Sequence, residues 1–333
     1  MRLSYDQICS ITQGAVRIEQ RKDGIHFFRF TEAEQKMYRR RREESYLRGL
    51  ATAGIRLEFE TDSTALTFAA EIRPSTSRRW FAHSFFADGE KIGEITGEIP
   101  DGAEKVCVQK DFELKAGKKR VTILLPWSVE SGLQELCLSD GAWIAPVRKS
   151  FKLLSFGDSI TQGYDAEKPE NAYIIQLANA LNAELISKAI GGERFCPQIA
   201  ELCEITDPDL IMVSYGSNDW SLSDKDEFLR DSARFFRILA DKFPHVPIVA
   251  LAPIWRGNLN RQTSVGEFSN VAAHLQSVAA GIEAMTVIDC IDFVPHDSNY
   301  FRDLVLHPND AGFAHYASAL IPKVKEILSS RIS

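Results

Sequence analysis

From residue 151 onward, five short apolar runs alternate with helix-length stretches, and this rhythm constrains the fold more than any other feature of the chain. The runs are 151–156, 184–188, 209–215, 247–252 and 285–289, with amphipathic stretches at 224–243, at 265–282 and beyond Pro308. Apolar runs of this length with little polar alternation suit strands buried on both faces, which helices must then cover. The order strand, helix, strand predicts a parallel sheet layered between helices.

The first part of the chain has a different period. Gly54 to Glu60 alternates apolar and polar residues, as a half-buried strand must, and 64–72, 81–86, 119–125 and 134–138 read as further short strands. Asp88-Gly89 is a strong hairpin signal, and Pro126 closes the run before it. Short strands with regular turns predict an antiparallel sandwich. The charged segment 31–48 is the exception, expected as a helix or a long loop. At 333 residues the chain is long enough for two domains. The natural linker is Pro146-Val147-Arg148-Lys149, so the expected division is 1–147 and 148–333.

Composition excludes several classes. No run of 18 apolar residues predicts a membrane span, and Met1 to Gln7 lacks the apolar core of a secretory signal, so the expectation is a cytoplasmic protein. The net charge is −7, with 24 basic and 22 acidic side chains in residues 1–150 against 15 and 24 afterwards. The run Arg39-Arg40-Arg41-Arg42 is followed at once by Glu43 and Glu44, without interleaved aromatics; it reads as a solvated turn or an oligomer contact, and no nucleic acid partner is expected. The six cysteines show no Cys-x-x-Cys pair and no zinc spacing; Cys196 and Cys203 could share a helix face, but small buried thiols are the expectation, with no metal. No glycine-rich phosphate loop is present, so no cofactor is expected.

Chemistry collects where the strands end. In an open parallel sheet, ligands bind beyond the carboxyl ends of the strands. Gly157-Asp158-Ser159 follows the first run, Gly191-Gly192 the second and Gly216-Ser217-Asn218-Asp219 the third, while Asp303 to Pro308 precedes the last helix. One sheet edge thus receives a hydroxyl, a backbone donor free to approach closely, an amide donor and an imidazole. Acyl transfer needs this inventory. Taken singly, Ser159 or Asn218 could cap a helix, Gly191-Gly192 could be a turn, and His307 could lie in a surface loop.

These four segments, in this order, resemble the blocks of the SGNH (GDSL) hydrolase superfamily: Gly157-Asp158-Ser159, Gly192, Gly216-Ser217-Asn218-Asp219 and His307-Pro308-Asn309-Asp310. The resemblance covers roughly 150–333 and implies a three-layer, flavodoxin-like α/β domain. It implies Ser159 as nucleophile, His307 as general base and then acid, and an oxyanion hole made by the Ser159 and Gly192 amides and the Asn218 side chain. Relatives place an aspartate three residues before the histidine, where this chain has Leu304. Asp303 could reach the imidazole through a one-residue bulge; alternatively a backbone carbonyl leaves a Ser–His dyad, with Asp297 and Asp292 as weaker candidates. Ser187 and Lys188 also depart from the family, which carries an asparagine and a small residue there. The GxSxG elbow of the α/β-hydrolases is absent.

A preceding all-β unit is similar to the arrangement in carbohydrate esterase family 2, and implies a jelly-roll-like sandwich with an accessory or substrate-shaping role. Trp80, Trp127 and Trp143 read as core aromatics rather than sugar platforms. Trp220, Trp255 and Arg256 follow strands at the reactive edge and are candidate pocket walls. The resemblance implies a serine esterase acting on short acyl groups, acetyl foremost, on a saccharide hydroxyl. An acyltransferase with the same acyl-enzyme and a non-catalytic carbohydrate-binding protein are the alternatives.

Overall fold

The computed structural model describes residues 1–330. Its second half is a five-stranded parallel sheet: β1 (Phe151–Gly157), β2 (Ala183–Ser187), β3 (Leu210–Ser214), β4 (Ile248–Ala252) and β5 (Met285–Asp289), in the spatial order β2-β1-β3-β4-β5. The five runs expected from the sequence are these five strands. Successive residues bury on opposite faces. Leu154, Phe156, Ile211, Val213, Ile248 and Ala250 pack under the helices Lys225–Lys242 and Ser269–Ala279. Leu153, Leu210, Met212, Val249, Leu251 and Ile288 pack under Tyr173–Ala180 and Asp310–Ser330. Both faces of every central strand are therefore apolar, which is why these strands read as runs rather than alternations. The strand order reverses between β1 and β3, so a crevice opens at their carboxyl ends.

Two antiparallel sheets precede it. One contains Arg56–Thr61, Lys119–Leu124, Trp80–Ala87 and Glu90–Glu98; the other contains Arg17–Arg21, Gly24–Phe28, Val129–Leu138, Ala65–Pro74 and Val106–Glu113. They enclose a core including Leu57, Phe59, Phe68, Ile72, Phe85, Val121, Ile123 and Leu133. Asp88 and Gly89 turn the hairpin with φ of 50° and 83°, the doubly positive geometry that Asp-Gly suits. Val106–Glu113 escaped the sequence reading because it pairs along one side only and exposes most of its residues. Among the described residues no helix is long and apolar enough to cross a membrane.

Segment 31–48 forms a helical hairpin, Glu32–Arg41 and Glu43–Gly49, cornering at Arg42. Thr31 and Glu34 close a capping box at its start. The arginine run 39–42 is exposed and turns at Arg42, while the hairpin that carries it packs on the parallel-sheet half. Phe30 and Tyr38 belong to the core of the parallel sheet, and the fully buried Glu34 accepts from the fully buried Lys188 Nζ at 2.6 Å, just past the end of β2. Arg29, also buried, donates to the carbonyls of Ala51, Arg48, Ser187 and Ala189. The departure at Lys188 thus has a physical reason: the strand end is fastened by an ion pair from a segment 154 residues earlier.

Candidate active site

Ser159 begins a single helical turn, Ser159–Gln162, directly after β1, with Asp158 as its cap accepting from the Ile160 amide. The turn is tight: a methyl group on Gly157 would lie 2.4 Å from Thr161 Oγ1, so only glycine lets the turn fold back on the strand. As the first residue of a helical turn, Ser159 keeps its amide free of any partner within the turn. Gly192, after β2, has φ of +78°, and its amide also has no partner among the described residues. Asn218, in the short helix Ser217–Leu222 after β3, donates from Nδ2 to the Glu193 carbonyl at 3.0 Å, and its remaining N–H has a long contact to Asp158 Oδ2 at 3.5 Å.

The base arrives from the loop before the last helix. His307 Nε2 accepts from the Ser159 hydroxyl at 2.8 Å, and Nδ1 donates to Asp303 Oδ2 at 2.7 Å. Asp303 reaches the ring from four residues away because Leu304 takes a left-handed φ of 61°. Its other oxygen then accepts from the amides of Val305, Leu306 and His307 at 2.7–3.0 Å. Leu304 itself is exposed. Burial raises the Asp303 pKa, but the imidazole and these amides outweigh burial and hold it well below the usual carboxylate range. Asp297 instead caps the turn at Ser298–Tyr300, and Asp292 lies near His296, so neither approaches His307.

A second carboxylate, missed in the sequence, stands behind the ring. Asp165 Oδ2 is 3.8 Å from His307 Nδ1, buried, and held by Arg78 Nε and Nη2 at 2.7 and 2.8 Å. Arg78 comes from the loop before the sandwich strand Trp80–Ala87. The Tyr164 ring stacks on His307 with centroids 5.6 Å apart, and Trp127 packs on Tyr164 in turn. Asp165, Asp303 and His307 are close enough to hold a cation, yet the guanidinium already neutralises Asp165 and the imidazole bonds both Asp303 and Ser159.

Two of the three candidate wall residues, Trp220 and Arg256, are engaged elsewhere. Trp220 is fully buried, its indole N–H donating to the Gly266 carbonyl, so it presents no surface to a ligand. Arg256 lies over that ring and donates to the Ser217 carbonyl and hydroxyl, fastening the Asn218 segment from behind. Trp255 stacks on His296. Trp127 is core as expected and Trp80 half-buried, whereas Trp143 is exposed at the surface. The cysteines carry no disulfide; Cys196, Cys203 and Cys290 are buried.

Two buried carboxylates line the crevice. Burial raises Asp158 to about 6 and Asp219 to about 7, against the opposing pull of the amides each accepts from. Asp219 bridges the Phe195 and Gly216 amides, tying the segment after β2 to the segment after β3. A cavity of about 550 Å³ lined by Arg56, Glu58, Arg120 and Lys149 involves none of these residues.

Residues 155–315 match the GDSL-like Lipase/Acylhydrolase family. No curated protein sequence matches the chain. Among solved structures, the salicylyl-acyltransferase SsfX3 from a tetracycline biosynthetic pathway superposes with a TM-score of 0.81 at 21% identity, over 95% of this chain and 94% of that one. A GDSL-like lipase from Bacteroides ovatus gives 0.78 at 20% identity, over 99% and 98%. A family two carbohydrate esterase from Cellvibrio japonicus gives 0.67 at 18% identity, over 98% of both chains. These likenesses run through both halves, so the antiparallel sheets and the parallel sheet recur together. Residues 155–315 therefore form a GDSL-like lipase/acylhydrolase domain, and the protein is an ester-hydrolysing enzyme.

Proposed function

We propose that the protein is a serine esterase that removes a short acyl group, acetyl foremost, from a saccharide hydroxyl through an acyl-enzyme on Ser159. The observation that carries this reading is the unbroken relay Ser159–His307–Asp303, at 2.8 and 2.7 Å, beside two amides without partners. The Ser159 hydroxyl attacks the ester carbonyl while His307 Nε2 takes its proton. The negative charge that moves to the carbonyl oxygen is received by the Ser159 and Gly192 amides and by the Asn218 N–H not used on Glu193. Collapse breaks the bond to the alcohol, which leaves with the proton from His307. Water, deprotonated by the same imidazole, then releases the acid and restores the serine. Asp303 keeps the proton on Nδ1 and orients the ring; Asp165 with Arg78 backs that position.

Residues 148–333 would then be the catalytic unit and 1–147 the unit that shapes the substrate cleft. The saccharide alcohol is suggested by the carbohydrate esterase among the similar structures. The experiment is hydrolysis of p-nitrophenyl acetate and covalent labelling by an organophosphonate. Turnover and a label at Ser159, both lost in Ser159→Ala, are expected; intact wild-type protein that neither labels nor hydrolyses any short ester overturns the reading and favours a carbohydrate-binding protein. A second reading, transfer of the acyl group to another alcohol, is favoured by the likeness to an acyltransferase. Product analysis with a saccharide acceptor separates the two: free acid alone means hydrolysis, an acylated acceptor means transfer.

A further inference from the structure

The arginine run 39–42 ends at the reactive edge. A methyl group on Gly192 would lie 2.7 Å from Arg48 Nη1 and 3.1 Å from Arg42 Nη2. Two guanidinium groups therefore face one spot beside an amide that has no partner. Arg48 uses Nη1 to hold the Gly191 carbonyl at 2.7 Å. The Arg42 side chain donates no hydrogen bond among the described residues. The carboxylate near both is Glu44, 3.6 Å from Arg42 Nε and 3.9 Å from Arg48 Nη2, and 69% exposed. At those distances and that exposure it offsets little of the repulsion between the two cations.

Other arginines of the region are already engaged. Arg41 is paired with the buried Glu193, Arg78 with Asp165, and Arg29 with four carbonyls. Nor is the hairpin a loose carrier. Glu34 and Lys188 pin its first helix, and Ser45 donates to Glu193 from its second. The hairpin thus brings both side chains to this spot: Arg48 is held there by the Gly191 carbonyl, and Arg42, 41% exposed, has its guanidinium free to take a planar carboxylate, which it matches in shape and charge.

We propose that Arg42 and Arg48 form a subsite for a carboxylate carried by the ester, so that the protein selects anionic esters over neutral ones. The setting rests on the esterase reading, but carboxylate binding does not require turnover. The carboxylate comes from the acyl part or from the alcohol part of the substrate, and two matched pairs distinguish them. Monoethyl succinate against diethyl succinate places the charge on the acyl side; acetoxyacetate against its methyl ester places it on the alcohol side.

Binding of all four is measured by calorimetry to the Ser159→Ala protein. In at least one pair the acid binds about tenfold more tightly than its neutral partner, Arg42→Gln removes that preference, and Arg42→Lys keeps part of it. Acids that bind no better than their neutral partners, or not at all, overturn the proposal, as does a preference that survives the double change Arg42→Gln, Arg48→Gln. In the active protein the same preference appears as the ratio of kcat/KM for acid and neutral ester. Carboxylate binding that depends on Arg42 in a protein that hydrolyses no ester upholds the subsite and removes the esterase reading. Hydrolysis without an acid preference in either measurement does the reverse.

Discussion

The two loops that meet at Ser159 are held in opposite ways. The base loop holds itself: Asp303 accepts from three amides within the next four residues and from the imidazole, and the Arg302 amide donates to the His307 carbonyl. The glycine loop after β2 is held in addition from far away in sequence. Arg48 fixes the Gly191 carbonyl, Arg29 the Ser187 and Ala189 carbonyls, Arg41 and Ser45 the Glu193 carboxylate, and Glu34 the Lys188 ammonium. The base is therefore mainly a local device of the parallel-sheet half, with Arg78 of the preceding half behind it through Asp165. The oxyanion-side glycine is positioned by both halves, since the Gly191 amide also donates to Gln162 Oε1 and the Ile190 amide to the Gly157 carbonyl.

The comparison breaks most sharply at Asp303. If it orients His307, Asp303→Ala lowers kcat by about 10³- to 10⁴-fold with much less change in KM, because the tautomer and the loop geometry are lost together. A loss below tenfold would mean that the imidazole is held without it, by Asp165 or by packing on Tyr164.

What the sequence revealed follows the same division. β1 to β5 were legible because burial on both faces leaves few polar residues in the run, and the blocks at their ends were legible because each is contiguous. Asp303 was legible only as one option, since the left-handed Leu304 that brings it to the ring is not a residue from which that conformation is read. Arg78, Arg48, Arg29 and Glu34 were not legible as site residues at all. Each acts across more than 80 residues, and a charged side chain in a polar segment looks the same whether it faces water or a buried carboxylate. Lys188 carried a hint: an ammonium at the end of a strand buried on both faces needs a buried partner.

The glycine loop supplies the next largest effect. Lys188→Met leaves the Glu34 carboxylate buried without its partner and should destabilise the protein by about 3–5 kcal/mol, read from urea unfolding. If the hairpin positions Gly192, kcat falls as well, measured under conditions where the variant is folded. A destabilised variant with unchanged kcat would show that the glycine loop keeps its shape without the hairpin, and the contrast between the loops would shrink to one of stability.

Arg78 tests whether the preceding half also reaches the base side. Arg78→Ala leaves Asp165 buried and unpaired 3.8 Å from His307 Nδ1. About a tenfold lower kcat with little change in KM is expected, as for other groups that orient a catalytic side chain through a neighbour. Since a structural defect alone would not shift a pH profile, the acid limb of kcat/KM is the second readout. An unpartnered Asp165 carboxylate favours the imidazolium and moves that limb to higher pH; an unmoved limb would confine the influence of the sandwich to the glycine side.

The smallest effect tests the seam between the loops, at Asp219. Burial raises its pKa from the ordinary carboxylate range to about 7, although the Phe195 and Gly216 amides oppose this. The folded state therefore holds this proton more tightly than the unfolded state. Its contribution to stability is full below about pH 4, is lost as pH rises toward about 7 and is constant above that. Asp303 has the opposite sign, since its folded pKa is depressed: its contribution is full above the ordinary carboxylate range and is lost only as pH falls below it. From about pH 5 to about pH 7, Asp219 and, in the lower part, Asp158 each make stability fall as pH rises, by no more than about 1.4 kcal/mol per pH unit for each proton, while His83 and His274, whose pKa values burial lowers, oppose them up to about pH 6.5. Asp219→Asn sets one amide hydrogen against another at Phe195 or Gly216, which lowers stability at every pH by about 1–3 kcal/mol. The informative quantity is the slope of stability between these pH values, from urea unfolding, which should be more positive in the variant than in the wild type. A slope equal to that of the wild type would mean that Asp219 is ionised throughout, held as a carboxylate by the two amides it bridges, and that the seam between the loops carries a charge.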